Sequence, residues 1–293
     1  MGKVYDALNR ARTGSEESDL FDEGEEEQNE ARQEEPFTER FHFMRYSLGT
    51  GSTVTRDRIS QRAATAALVP RSPAKPGREL TIDPKRVDPH LTAFNDFDPQ
   101  ASQEYNKLAL SLISRAAERG FKRVLVASAQ SGDGRTCVTL NLACALARAR
   151  QRVLVVDCDL RNPSVLRLLG LHSEIGMYEA FERGLTPGAA AVGIRPYGFN
   201  VLPVTRAVSN PTELFAAPGF WKMLQTFDAD HDFVLFDSSP LATGSDSSLL
   251  VRYTDTTLIV IRAGQTSSAD MARAIAPFSQ DDIIGAVINR AGK

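Results

Sequence analysis

The sequence predicts an α/β domain in which a mostly parallel sheet carries helices on both faces. Two observations lead to this prediction: short apolar runs recur along residues 91–293, and most intervals between them have a helical polarity pattern. Alternating strands and helices favour parallel pairing in three layers. We predict helices over 99–119, 135–149 and 219–227, and strands near 123–128, 153–157, 200–204, 232–237, 256–262 and 283–288.

A glycine-containing loop follows the first predicted strand. Residues 128–134 read Ser-Ala-Gln-Ser-Gly-Asp-Gly and lead directly into the second predicted helix. Glycines let backbone N–H groups approach an anion closely, and the start of a helix adds positive partial charge. The usual phosphate-loop pattern, G-x-x-x-x-G-K-[ST], is matched at Gly134 and Thr136, whereas Ala129 and Arg135 replace its first Gly and its Lys. The loop predicts phosphate binding, although a tight strand-to-helix turn alone would have a similar pattern.

Acidic residues follow two later strands. Asp157 and Asp159 come at the end of one apolar run, and Asp237 ends another. In open α/β sheets, ligands bind beyond the carboxyl ends of the strands. Carboxylates beside a phosphate loop are ligands that Mg²⁺ prefers, directly or through water. Any one of these residues could merely cap a turn, but all three in this order and spacing indicate a site for Mg²⁺ and a phosphate compound.

Several motifs together resemble one family. The segment from about residue 104 to 290 resembles the ATPase domain of the bacterial tyrosine kinases (BY-kinases) of exopolysaccharide and capsule synthesis, within the MinD/ParA class of P-loop ATPases. The resemblance rests first on the loop 128–136 and on a D-x-D-x-R-x-P motif at residues 157–163. It rests also on an N-P-x-E-L element at residues 210–214 and on a strand that ends in Asp, within residues 235–240. It implies a three-layer P-loop NTPase-like domain.

The resemblance also implies ATP and Mg²⁺ as cofactors and gives roles to individual residues. Asp157 is the expected base that orients the attacking group, and Arg135 takes the catalytic place of the usual Lys. Thr136, Asp159 and Asp237 are the expected metal ligands, directly or through water. The nucleotide-binding residues are expected to be Gly132, Asp133, Gly134, Arg135, Thr136, Cys137 and, near the adenine, Asn289.

Three functions stay open at this point. The first is a BY-kinase-like ATPase that phosphorylates tyrosine and regulates exopolysaccharide synthesis or export. The second is a non-catalytic nucleotide-sensing subunit of the same machine, favoured by Arg135 and by the expectation that no tyrosine-rich tail follows the last strand. The third is a MinD/ParA-type positioning ATPase, which normally has a signature Lys where this chain has Gln130.

The first 90 residues differ in composition from the remainder. Residues 1–12 predict a short amphipathic helix, and residues 13–90 predict a disordered linker, acidic and then basic, before a folded domain over 91–293. Within the linker, the apolar island 41–48 is expected to dock on a partner or on the domain. Tyr5 and Tyr46 are the expected phosphate acceptors, because the other tyrosines fall in predicted folded sequence.

The sequence also suggests location and partners. No apolar run approaches 18 residues, no signal peptide is recognised and the three cysteines lack metal-ligand spacing, so a cytoplasmic protein is expected. By resemblance, a separate membrane activator of the polysaccharide co-polymerase type would recruit it to the inner face of the plasma membrane. The family's E-x-x-R-x-x-R ring motif is matched at Glu104 but not at Lys107 or Leu110, which leaves a homo-oligomer open; nucleic acid is not expected as a partner.

Overall fold

The structure, a computed structural model, describes residues 77–95, 98–242, 246–276 and 278–289, together with the backbone of residues 41–44. The helix predicted over residues 1–12, most of the predicted linker, Tyr5 and Tyr46 lie outside the described residues. In the described part of the chain, no helix is long and apolar enough to cross a membrane.

A single sheet of nine strands runs through the described residues. Its order is β1-β9-β8-β3-β7-β4-β6-β5-β2, and the six strands from β9 to β6 pair in parallel. At the edges, β1 pairs antiparallel with β9, β5 pairs antiparallel with β6, and β2 pairs in parallel with β5. The strands are β1 Phe41–Met44, β2 Arg78–Thr81, β3 Arg123–Ser128, β4 Val153–Asp157, β5 Val192–Arg195, β6 Phe199–Leu202, β7 Phe233–Asp237, β8 Thr256–Arg262 and β9 Ile283–Asn289.

Helices cover both faces of this sheet, which confirms the predicted three-layer fold. One apolar core lies between the sheet and the first three helices, and a second lies between the opposite face and the later helices. The helices are α1 Pro99–Arg119, α2 Arg135–Arg148, α3 Val165–Leu168, α4 Met177–Glu182, α5 Pro187–Ala190, α6 Pro211–Ala216, α7 Pro218–Gln225, α8 Asp246–Val251 and α9 Ser268–Ile275, with a 3₁₀ turn over Gln280–Asp282.

Helix α1 begins and ends where its sequence predicts. The Asp98 carboxylate accepts a hydrogen bond from the backbone N–H of Ala101, and Pro99 occupies the first helical position. Gly120, at φ 76°, ends the helix in a left-handed conformation that glycine adopts without steric cost. Tyr105 and Leu112 are buried beneath the helix, as the spacing of its apolar residues requires.

Helix α2 is buried on nearly all sides because it lies between the sheet and α1. Its buried Asn141 accepts a hydrogen bond from the backbone N–H of Ala93 at 2.8 Å and donates one to the carbonyl of His90 at 3.1 Å. These two bonds join the middle of α2 to the segment that precedes α1. The amino end of α2, at Arg135, is thereby fixed below the glycine loop.

Part of the stretch predicted as linker contributes to the folded domain. Within residues 13–90, Arg78–Thr81 form β2, and Ile82 and Val87 are buried in the core. Four-residue strands such as β2 and β5 show too few alternations to separate them from a loop. The linker also contains β1, whose backbone pairs Phe41 with Asn289; this part of the predicted apolar island therefore lies on the domain.

Candidate functional site

The strand order brings the predicted site residues to one edge of the sheet. Strand β7 lies between β3 and β4, and all three run in parallel, so their carboxyl ends lie side by side. Asp157 and Asp237 pair directly across β4 and β7, and Asp237 also pairs with Val126 of β3. The glycine loop leaves β3 at this same edge, which places two acidic residues next to it.

The glycine loop has a conformation that only glycine tolerates at two positions. Gly132 and Gly134 have φ values of 85° and 92°, in the left-handed region. A Cβ on Gly134 would lie 2.1 Å from Asn289 Nδ2, and that amide donates a hydrogen bond to the carbonyl of Asp133 at 3.0 Å. The end of β9 thus packs against the loop. Asn289 contacts the loop itself, and its predicted place beside adenine stays a prediction.

The Asp133 side chain holds the loop from within. Its carboxylate is buried and accepts hydrogen bonds from the backbone N–H of Gln130 and from the hydroxyl of Thr266, both at 2.9 Å. Because both oxygens are engaged inside the protein, Asp133 can meet a phosphate only through its backbone. Gln130 is tied as well, since its side-chain amide donates to Asp270 of the same chain at 2.7 Å.

Arg135, in the place of the usual Lys, is 7% exposed and has four polar partners. Its Nε donates to the carbonyl of Ser238 at 2.9 Å, and one terminal nitrogen donates to Ser128 Oγ at 2.7 Å and to the carbonyl of Gln130 at 3.1 Å. The other terminal nitrogen lies 3.4 Å from the Asp159 carboxylate. The guanidinium therefore joins the loop after β3, the loop after β7 and the acidic turn after β4.

Thr136 and Asp237 are in direct contact. The Thr136 hydroxyl donates to Asp237 at 2.7 Å, and the hydroxyl of Thr139, one turn further along α2, donates to the other oxygen at 3.2 Å. Ser164 adds a hydrogen bond to the Thr136 oxygen at 3.0 Å. A hydroxyl and a buried carboxylate at this spacing are oxygen ligands of the kind that Mg²⁺ binds directly or through water.

Asp157 and Asp159 lie in a tight turn beyond β4. The Asp157 carboxylate accepts long hydrogen bonds from two backbone N–H groups, those of Asp159 at 3.3 Å and Val165 at 3.4 Å. Burial raises the pKa of Asp157 well above its ordinary value, and the nearby Asp237 raises it further. Burial also raises the pKa of Asp159, while Arg135 partly offsets that effect.

The acidic cluster formed by Asp157, Asp159 and Asp237 has more negative charge than the protein neutralises. Burial raises the pKa of Asp237 to about 6, against the lowering effects of Arg135 and of the Thr136 hydrogen bond. A divalent cation would stabilise the ionised forms. The described residues contain no group of three His, Cys, Asp or Glu placed to hold a metal by themselves. The donor set therefore fits Mg²⁺ that arrives with phosphate oxygens as additional ligands.

Cys137 contributes to the site through its backbone. Its side chain packs against the core beneath the sheet, and burial raises the pKa of its thiol to about 12. A thiol with such a pKa stays protonated and unreactive near neutral pH. Its predicted contact with nucleotide can accordingly involve only the N–H group in the first turn of α2.

Sequence reasoning missed several polar residues of the site. Ser128 and Ser238 contact Arg135, Ser164 and Thr139 surround the Thr136–Asp237 pair, and Thr266 holds the loop through Asp133. Thr139 could have been found, because it lies three residues after Thr136 on the same face of a helix. The partners of Ser238, Ser164 and Thr266 depend on strand order, which the sequence did not specify, whereas Ser128 contacts Arg135 within the same loop.

Gly134→Ala is expected to destabilise the protein and to remove phosphate binding. The new methyl group would collide with Asn289 Nδ2, and the alanine backbone would have to adopt a φ of 92°. Gly120→Ala is the matched control, since its φ is 76° and nothing lies within 4 Å of its added Cβ. Thermal unfolding should show a cost of about 1 kcal/mol for the control, from backbone strain alone, and a clearly larger one for Gly134→Ala. Equal costs would contradict the close packing of Asn289.

The fold and the site together define a P-loop nucleotide-binding domain. The family model described as "ParA: NUBPL iron-transfer P-loop NTPase" matches residues 121–291, more than half of the chain. The chain belongs to this ParA family of P-loop NTPases.

Relatives of this chain include several named bacterial tyrosine kinases. Tyrosine-protein kinase YwqD of Bacillus subtilis is 24% identical over 206 residues, which cover 70% of this chain and 87% of that protein. Tyrosine-protein kinase CpsD of Streptococcus pneumoniae serotype 4 is 24% identical over 200 residues, 67% of this chain and 86% of the relative. Against tyrosine-protein kinase wzc of Salmonella typhi, identity is 26% over 160 residues, which span 55% of this chain but only 22% of wzc.

Solved kinase domains share the fold. The kinase domain of the Escherichia coli tyrosine kinase ETK superposes with a TM-score of 0.64 at 22% identity, covering 82% of this chain and 95% of that domain. The VpsO kinase domain gives a TM-score of 0.59 at 25% identity, over 66% of this chain and 97% of the other. The predicted P-loop NTPase-like fold and the predicted resemblance to BY-kinases are thus confirmed.

Proposed function

We propose that this chain binds ATP with Mg²⁺ and acts as a BY-kinase-type ATPase that phosphorylates tyrosine and so regulates exopolysaccharide or capsule synthesis. The observation that supports this most is the Thr136–Asp237 contact beside Asp157, at the end of a glycine loop built for phosphate. The names of the relatives YwqD, CpsD and wzc support the choice of tyrosine as the acceptor.

The nucleotide and the metal would be held by neighbouring groups that meet at Thr136. The backbone N–H groups from Gly132 to Cys137 would bind phosphate oxygens, and Arg135 would contribute charge. Thr136, Asp237 and Asp159 would hold Mg²⁺, which when bound neutralises charge that develops on the transferred phosphoryl group. Neutralising the acidic cluster would also offset the burial and the charge of Asp159, which raise the pKa of Asp237.

Asp157 is the group proposed to accept the proton of the tyrosine hydroxyl. When it is ionised, its raised pKa makes it a stronger proton acceptor than an ordinary carboxylate. Its side chain is fully buried, so the residues around it must move before a tyrosine reaches it. Asp157 therefore becomes accessible only when the acidic turn after β4 rearranges.

A nucleotide-sensing subunit without kinase activity is the second candidate, and Arg135 favours it. The planar guanidinium is held by partners in three separate loops. These contacts restrain the acidic turn after β4, which must move before a tyrosine can reach Asp157. The positioning ATPase is less well supported, because Gln130, at the place of the signature Lys, is bonded to Asp270 within the same chain.

A membrane partner completes the proposal. By the BY-kinase resemblance, a separate activator of the polysaccharide co-polymerase type would recruit this cytoplasmic chain to the inner face of the plasma membrane. Ring assembly of the family kind has weak support here. Lys107 pairs with Glu104 on the same helix at 2.6 Å, and Leu110 is exposed.

The proposed kinase activity can be tested on the purified full chain with ATP and Mg²⁺. The unaltered chain should form phosphotyrosine, and Asp157→Ala should reduce this by about 100-fold or more through loss of the base. Glu118→Ala, at an exposed carboxylate on α1, is the control and should leave activity unchanged. Mapping the modified residue tests Tyr5 and Tyr46.

Other outcomes of the same experiment separate the candidates. ATP binding without turnover in the unaltered chain, together with activity gained in Arg135→Lys, would support the sensing subunit instead. A chain that binds no nucleotide at all would contradict both candidates.

A further inference from the structure

A second acidic site lies next to the proposed nucleotide site and is not one of its predicted ligands. Asp246, at the first residue of α8, is only 2% exposed. One of its carboxylate oxygens accepts a hydrogen bond from the Thr212 hydroxyl at 2.5 Å, and the other accepts from Arg161 Nε at 3.0 Å. Because a buried carboxylate must be compensated, these two partners account for its position.

The three residues of this network come from three separate segments of the chain. Arg161 belongs to the D-x-D-x-R-x-P turn, two residues beyond Asp159, and Thr212 is the third residue of the N-P-T-E-L element at the start of α6. Asp246 follows the loop after β7 that begins at Asp237. The network thus joins the acidic turn after β4 to two helix starts on the same side of the sheet.

Arg161 is held by one nitrogen only. Its side chain is 54% exposed, whereas that of Asp246 is 3% exposed. Among the described residues, its two terminal nitrogens, with four N–H donors, have no hydrogen-bond partner, since the bond to Asp246 uses Nε. The charge of Arg161 is close enough to Asp159 to lower the pKa of that carboxyl. A fixed and outward-facing guanidinium therefore stands beside the acidic cluster.

We propose that Asp246, with Thr212, is a positioning residue that holds Arg161 so that its terminal nitrogens bind the last phosphate of a nucleoside triphosphate. This inference rests on the proposed function, because it requires a triphosphate in the glycine loop. A guanidinium anchored through Nε presents a paired donor edge that suits phosphate oxygens. Thr212 of the N-P-T-E-L element then holds the second carboxylate oxygen of Asp246 in place.

Discrimination between triphosphate and diphosphate is the property that tests this role. In calorimetry with Mg²⁺, Arg161→Ala should weaken binding of a non-hydrolysable ATP analogue by about tenfold and leave ADP affinity within about twofold, because one charge-assisted contact to the last phosphate is lost. Asp246→Asn should show the same pattern. The neutral amide has one acceptor oxygen for two donors and carries no charge, so the ion pair with Arg161 is lost whichever way the amide is turned.

A matched arginine provides the control. Arg206 is similarly exposed, at 65%, and its Nε also donates to a buried carboxylate, that of Glu179, at 3.1 Å. Arg206→Ala should leave the ratio of the two affinities unchanged. The double variant Arg161→Ala/Asp246→Asn should lose no more than either single variant, since both changes remove the same contact.

The outcomes distinguish this inference from the function on which it rests. Equal loss of ATP-analogue and ADP affinity in Asp246→Asn, or an unchanged ratio in a folded Arg161→Ala variant, would overturn the inference while nucleotide binding stands. Additive losses in the double variant would also overturn it. Absence of nucleotide binding by the unaltered chain would overturn the proposed function, and the inference with it.

Discussion

Asp237→Asn is expected to stabilise the nucleotide-free protein near neutral pH. The pKa of Asp237 is about 6 in the folded protein, because burial and the neighbouring acids oppose its ionised form. In the unfolded chain an Asp has a pKa of about 4. Ionisation therefore costs the folded state roughly 3 kcal/mol above about pH 6, and asparagine has no such cost.

The pH dependence of this gain has a definite sign. Below about pH 4 the carboxyl is protonated in both the folded and the unfolded protein, so the folded state does not bear the cost of burying its ionised form. That contribution is lost as the pH rises from about 4 to about 6, and the advantage of Asp237→Asn should grow over the same interval. Urea denaturation at a series of pH values measures it, with Asp281→Asn, at an exposed carboxylate, as the control. A variant less stable at every pH would mean that the Thr136 and Thr139 hydrogen bonds outweigh the charge.

The same substitution should remove the dependence of nucleotide binding on Mg²⁺. An amide is a much poorer ligand for a hard dication than a carboxylate, and Asp237 is the carboxylate that contacts the Thr136 hydroxyl. In the presence of ATP, added Mg²⁺ should therefore raise the unfolding temperature of the unaltered chain. It should leave the unfolding temperature of Asp237→Asn unchanged. A gain in folding stability together with a loss of metal binding would show that the acidic cluster serves metal binding and destabilises the fold.

Long elements with clear end signals could be predicted from the sequence. Helix α1 has the predicted bounds, because Asp98, Pro99 and Gly120 mark its ends and its apolar residues recur over five turns. Strands β3, β4, β8 and β9 lie within a residue of prediction, since each is a dense apolar run. The three acidic residues could also be placed at one edge, because parallel strands end together.

Other features depend on tertiary pairing that no local pattern encodes. The short strands β2 and β5 are stabilised by each other and by β6, so neither has a sequence signal of its own. The Asp133 carboxylate sits in the middle of the phosphate motif, yet it serves the loop rather than the ligand, through Thr266 more than 100 residues away in the chain. The partners of Arg135 likewise lie on three loops that meet only in the folded sheet.

Arg135→Ala is expected to cost about 3 kcal/mol of folding stability, since it leaves the buried Asp159 carboxylate and the buried Ser238 carbonyl without the guanidinium as their donor. Arg135→Lys should cost less, about 1 kcal/mol, because the ammonium keeps the charge but cannot reach the carbonyls of Ser238 and Gln130 at the same time. Denaturant unfolding measures both values. Arg148→Lys is the control, since Arg148 lies on the same helix and donates to the carbonyl of Ala93 at 2.6 Å.

The comparison of these variants separates the structural and catalytic contributions of Arg135. If the guanidinium restrains the acidic turn, Arg135→Lys should lose stability and still retain or raise ATP turnover, because lysine is the usual residue of the phosphate-loop pattern. Arg135→Ala should lose both stability and turnover. An Arg135→Lys variant as stable as the unaltered chain would show that the charge alone, and not the planar fork, joins the three loops. The kinase and the sensing subunit would then have to be distinguished by the accessibility of Asp157 rather than by Arg135.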